Sequence, residues 1–69
     1  MRILIIEDEK KVARFLEQGL REEGYTADVT FDGEEGLAKA LSEAYDLVIT
    51  DVMMPKKSGI EVIQALREA

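Results

Sequence analysis

The chain opens on Ile3-Leu4-Ile5-Ile6, a continuous apolar and largely β-branched run that stops at Glu7-Asp8-Glu9. An apolar run without polar alternation suits a strand buried on both faces, and it predicts β1 over residues 2–6. From residue 10 to 23, Val12, Phe15, Leu16 and Leu20 recur at three- and four-residue spacing with charges between them, and Gly24 follows as a C′ residue. This predicts an amphipathic helix, α1, with those apolar residues turned to the core. Residues 25–31 contain Thr and Val and end at Asp32-Gly33, so they read as β2, a more polar edge strand in which Tyr25 and Phe31 are assigned to packing. Asp32 is placed to cap α2 over residues 33–44, with Glu35 three residues on as in a capping box and with Leu37, Ala40, Leu41 and Ala44 on one face. Asp46-Leu47-Val48-Ile49-Thr50 predicts β3 over residues 46–50, and it too is closed by an acid, Asp51. After Val52-Met53-Met54-Pro55-Lys56-Lys57, Ser58 and Glu61 form a Ser-x-x-Glu box ahead of Ile60, Ile63 and Leu66, which predicts α3 from residue 58 onward.

Strands alternating with helices imply parallel pairing through right-handed crossovers, a βαβαβα unit. In a doubly wound order of 2-1-3 the switch point falls between β1 and β3, at their carboxyl ends. Glu7, Asp8 and Asp51 are expected there. Adjacent strands are about 4.7–4.9 Å apart, so acids directly following β1 and β3 bring their carboxylates within several ångströms of one another.

Composition narrows what such a cluster can do. The 69 residues contain no Cys and no His, which removes thiolate and imidazole ligands, His general bases and Ser-His or Cys-His arrangements. Chemistry therefore falls to carboxylates, hydroxyls, Lys or Arg. Fifteen acidic against nine basic residues give a net charge of −6, unfavourable for a phosphate backbone, so no nucleic-acid binding is expected of this chain itself. No apolar run reaches the length of a membrane span, and neither a span nor an export signal is expected. The glycines form neither G-x-G-x-x-G nor a P-loop, which argues against a nucleotide site. Hard oxygen ligands without His or Cys point to Mg²⁺, Mn²⁺ or Ca²⁺, and few protein ligands with room for water and phosphate favour Mg²⁺. The plainer reading is that Asp8 and Glu9 complement the α1 dipole and Asp51 turns the chain.

Ile3-Leu4-Ile5-Ile6-Glu7-Asp8, then Ile49-Thr50-Asp51-Val52-Met53-Met54-Pro55, then Ser58-Gly59 opening a helix, together resemble the receiver domain of two-component response regulators. The opening half is most similar to receivers of the winged-helix class of transcription factors. The resemblance implies that Asp51 is the phosphate-accepting nucleophile, that Glu7, Asp8 and Asp51 bind Mg²⁺ and that Met53 adds its backbone carbonyl. It implies a phosphoacceptor rather than an enzyme, a sensor histidine kinase as partner of the parent protein, and a cytoplasmic location. Val12, Phe15 and Leu16 lie on the α1 side that receivers use near their kinase, although their spacing makes them core residues first.

By the same resemblance, residues 1–69 correspond to one truncated receiver domain, half of a flavodoxin-like doubly wound fold, without the last two βα units. The family's hydroxyl residue after the fourth strand and Lys after the fifth have no counterpart, and losing one such electrostatic group typically costs about 10²–10³ in rate. Weak Mg²⁺ binding and slow or absent phosphoryl acceptance are expected of the chain alone. Its small core and the apolar edge Leu47-Val48-Ile49 predict completion by a second chain, as a homodimer through the β3 edge or through swapped helices. The competing reading is a self-associating half-receiver whose acid site is a relic.

Overall fold

A computed structural model of the chain describes residues 1–51 and 59–68. It contains β1 (Arg2–Ile6), α1 (Lys10–Glu22), β2 (Thr26–Thr30), α2 (Gly33–Ser42), β3 (Leu47–Thr50) and α3 (Gly59–Glu68). The strands form one parallel sheet in the order β2-β1-β3, the order expected from the alternation of elements. Ile3 stands opposite Ala27 and Leu47, and Ile6 opposite Thr30 and Thr50.

Because side chains alternate along a strand, β1 feeds two cores. Ile3 and Ile5 face one side with Ala27, Val29 and Ile49, covered by Leu16 and Leu20 of α1. Leu4 and Ile6 face the other with Val48, covered by Leu37 and Ala40 of α2 and by Val62 and Leu66 of α3. Each of Ile3 to Ile6 is at most 1% exposed, which explains the unbroken apolar run. Burying one such side chain contributes roughly 1.5–3 kcal/mol.

Helix ends follow the expected chemistry. Gly24 has φ +90, its N–H donates to the Arg21 carbonyl at 3.0 Å and the Tyr25 N–H donates to the Leu20 carbonyl at 3.0 Å. This is a Schellman closure of α1, and a glycine takes that backbone conformation without a Cβ clash. Since Tyr25 is used in the closure, β2 begins at Thr26 rather than at residue 25. Asp32 caps α2 by accepting the Glu35 N–H at 2.7 Å. α2 ends at Ser42, two residues short of the expected 44, because Glu43 is already extended.

The rotational phase of the helices differs from expectation. In α1 the stripe facing the sheet is Ala13, Leu16 and Leu20, with Ala13 fully buried. Phe15 lies about 130° round the helix from the middle of that stripe and is 76% exposed, and Val12 is also exposed. In α3 the buried pair is Gly59 and Val62, with Leu66 packed behind them, while Ile60 and Ile63 are exposed. Leu41 of α2 is exposed as well, and so is Tyr25. Beside each exposed residue a neighbour one position away is turned inward: Ala13 beside Val12, Leu16 beside Phe15, Ala40 beside Leu41, Gly59 beside Ile60 and Val62 beside Ile63. Dense packing selects for fit rather than for size alone.

Candidate functional site

The register of β1 with β3 builds the site. Ile6 pairs with Thr50, so Glu7 and Asp51 are the next residues on neighbouring strands. Two bonds prolong the ladder past the strand ends: the Asp51 N–H donates to the Ile6 carbonyl at 3.1 Å and the Glu7 N–H donates to the Thr30 carbonyl at 3.0 Å. Ile3 and Ile5 on β1 and Ile49 on β3 share the α1 face, and the period of two puts Glu7 and Asp51 on the continuation of that face. Oxygen atoms of Glu7, Asp8 and Asp51 all lie within 4.8 Å of one another. Glu7 and Asp51 are half-buried and Asp8 is exposed.

Glu7 also holds the start of α1. Its Oε1 accepts the Glu9 N–H at 3.1 Å, whereas Glu9, at the N-cap position, makes no side-chain cap bond. Glu7 thus satisfies the N–H of the residue that opens α1, a contact separate from the dipole role that the sequence reading gave to Asp8 and Glu9. Burial raises the Glu7 carboxyl above its ordinary range, and the Asp8 and Asp51 carboxylates raise it further, against the Glu9 N–H, which lowers it. Like charges at this spacing make the fully ionised trio unfavourable until a cation or proton is shared.

The donor set fits a small hard cation. Oxygens at about 2.0–2.1 Å from Mg²⁺ stand about 3 Å apart at adjacent corners of an octahedron and about 4.2 Å apart at opposite ones, so a trio within 4.8 Å would draw together around the ion. The Met53 carbonyl and the Ser58 cap lie outside the described residues.

Two features beside the site went unread in the sequence. A Cβ on Gly36 would meet the Ile6 side chain at 2.6 Å, so α2 rests directly against the residue before Glu7. The signal available was a glycine inside an otherwise strong helical pattern. Phe31, assigned to packing, has the Lys10 ammonium 5.6 Å and the Arg14 guanidinium 5.5 Å from its ring centroid. Those cations are four residues apart on α1, the spacing that brings helical side chains together.

Residues 3–69 match the family described as response regulator receiver domain. The transcriptional regulatory protein PcoR of Escherichia coli is 54% identical over 68 residues, a stretch that covers 99% of this chain and 30% of PcoR. The response regulator TrrA of Thermotoga maritima, solved in complex with Mg(2+)-BeF, superposes with a TM-score of 0.94 at 46% identity, over 97% of this chain and 58% of that one. In its complex with the histidine kinase ThkA, TrrA superposes with a TM-score of 0.91 at 46% identity, again over 97% and 58%. The chain belongs to the response regulator receiver domain family. Its curated relatives include transcriptional regulators, in agreement with the resemblance to the winged-helix class, and the chain spans about 30% of their length.

Proposed function

We propose that the chain is the phosphoacceptor part of a two-component receiver, in which Asp51 takes a phosphoryl group from the phosphohistidine of a sensor histidine kinase. The observation that carries this reading is the convergence of Glu7, Asp8 and Asp51 at the switch point between β1 and β3. These three carboxylates and the Met53 carbonyl would hold Mg²⁺. A carboxylate oxygen of Asp51 attacks phosphorus, the donor's P–N bond breaks, and the imidazole nitrogen leaves with the electron pair and takes up a proton. Bound Mg²⁺ offsets the negative charge on both reacting partners. Glu7, tied to the start of α1, keeps the site from relaxing outward under its own repulsion. In this reading the chain is no enzyme, because its own Asp51 is the acceptor, and its place is the cytoplasm; among the described residues no helix is long and apolar enough to cross a membrane. The exposed Val12 and Phe15 face of α1 meets the kinase.

The β3 edge, where Leu47 is exposed and Val48 and Ile49 are half-buried, pairs with a second copy in a homodimer. A monomeric mass in sedimentation at micromolar concentration rules that pairing out. The phosphoacceptor reading is tested with Mg²⁺ and a small acyl phosphate donor: a mass gain of one phosphoryl group is expected, and Asp51→Asn should abolish it. No gain under forcing conditions leaves a self-associating chain with a relic acid site.

A further inference from the structure

β2 forms one outer edge of the sheet, with no strand beyond it among the described residues. Its Thr26 N–H donates to the Met1 carbonyl and its Thr30 carbonyl accepts the Glu7 N–H, so Thr26, Asp28 and Thr30 bond inward to β1. Ala27 and Val29 therefore turn their N–H and C=O groups away from the sheet, an arrangement to which another strand can add. One of those outward carbonyls is already taken: the Arg21 guanidinium of α1 donates to the Ala27 oxygen at 2.9 Å.

Arg21 belongs to a row. Lys10, Arg14, Glu17 and Arg21 follow at i, i+4, i+7 and i+11 on the flank of α1 toward β2, opposite the flank that carries Val12 and Phe15. Half-buried Glu17 pairs with Arg14 at 2.9 Å and with Arg21 at 3.1 Å. Arg14 and Lys10 lie 5.5 and 5.6 Å from the centre of the Phe31 ring, so the row follows β2 from Ala27 to the residue past its end. The Arg21 side chain is 59% exposed, and an ion pair so open to water contributes little to stability. The fold itself gains little from the contact. The opposite edge has no such cover: Leu47 of β3 is exposed, and no Lys or Arg side chain among the described residues donates to the β3 backbone.

We propose that Arg21 is a strap that keeps a second copy of this chain off the β2 edge. A second β2 laid alongside needs the Ala27 carbonyl that Arg21 holds. In a two-fold antiparallel pairing it also brings a second row of the same cations against the first, and like charges set opposite one another disfavour the pair. The strap acts whether or not Asp51 accepts a phosphoryl group, and it leaves β3 as the edge open to pairing.

Arg21→Met tests this, because it keeps a long side chain suited to a helix and removes the donors. In sedimentation at equal micromolar concentration the variant should form a particle about twofold heavier than the unmodified chain, or more. The Ala27 and Val29 N–H groups should then exchange with solvent about tenfold more slowly. Removing a cation makes a chain of net charge −6 more negative, which opposes association, so relief of overall repulsion cannot produce the gain. Arg21→Gln should act in the same way, and Arg67→Met on α3 should change neither mass nor exchange. An unchanged mass in both Arg21 variants overturns the proposal. A heavier particle in which Ala27 and Val29 exchange as fast as before overturns it too, because the association then lies elsewhere. Loss of helical circular dichroism in both variants overturns it in favour of Arg21 holding the fold itself.

Discussion

The two ends of the sheet hold their carboxylates in opposite surroundings, among cations at one and among one another at the other. At the amino end Arg2 is surrounded by acceptors: its guanidinium lies 3.2 Å from Asp28 and 2.8 Å from Glu43, and stacks 4.7 Å from the centre of the Tyr45 ring. The Tyr45 hydroxyl donates to Asp28 at 2.6 Å, the Arg2 N–H donates to Asp46 at 2.7 Å, and Lys39 bridges to Glu43 at 2.8 Å. The Tyr45 hydroxyl, and then Arg2, hold the Asp28 carboxyl below the usual carboxylate range, while Lys39 and Arg2 do the same for Glu43. At the carboxyl end carboxylates face carboxylates, and Glu7 is pushed up. Charge at the amino end joins β1, β2, α2 and the turn into β3; at the carboxyl end the same backbone regularity concentrates charge of one sign. A sheet can thus be tied at one edge and hold repelling groups together at the other, because the buried run Ile3 to Ile6 connects the two.

The largest effect should come from breaking the support of the acid end. Gly36→Ala forces a methyl group into the fully buried Ile6 side chain, and overpacking of this kind costs about 1–3 kcal/mol even after the gain in helix propensity. Urea denaturation should show the loss, and Mg²⁺ titration of the same variant should show weaker binding, since Ile6 precedes Glu7. An unchanged midpoint would mean that the two ends are not mechanically linked through β1.

A smaller effect is expected from the tied end. Tyr45→Phe keeps the ring under Arg2 but removes the hydroxyl donor to Asp28, at a cost of about 1 kcal/mol. NMR titration should find the Asp28 carboxyl closer to its ordinary range, with Mg²⁺ affinity unaltered. Loss of metal affinity in this variant would erase the distinction between the ends.

The smallest effect, and the one that sharpens the contrast most, is the pH profile of stability. Glu7 has a folded-state value above its unfolded one, so the stability it contributes is present at low pH and is lost as pH rises through the raised value. Asp28 and Glu43 are depressed, so theirs is present above the ordinary carboxylate range and is lost as pH falls below about 4. Melting curves should therefore rise on mild acidification from neutrality and then fall, and Glu7→Gln should remove the rise alone.

Much of this was readable in the residues. An apolar run broken by acids marks a central strand and its end, and Asp32 and Gly24 mark helix ends by chemistry that acts within a few residues. The acid trio was legible because strand order and strand ends suffice to bring Glu7, Asp8 and Asp51 together. The helix phases were not. Bulky Phe15, Ile60 and Leu41 dominate any periodic pattern, while the buried Ala13 and Gly59 leave hardly a trace in it. Nor was the cluster of Arg2, Asp28, Glu43 and Tyr45 visible, since its members come from distant parts of the chain.

Strand order, element ends and the meeting of the acids follow from signals a few residues long, because hydrogen-bonding period and capping are local properties of a backbone. Which flank of each helix turned inward, where Arg2 found its partners and why Gly36 could not carry a side chain were decided in the folded state. There, close packing against a two-faced sheet leaves room for one rotation of each helix, and that room is a property of volumes brought together from across the chain.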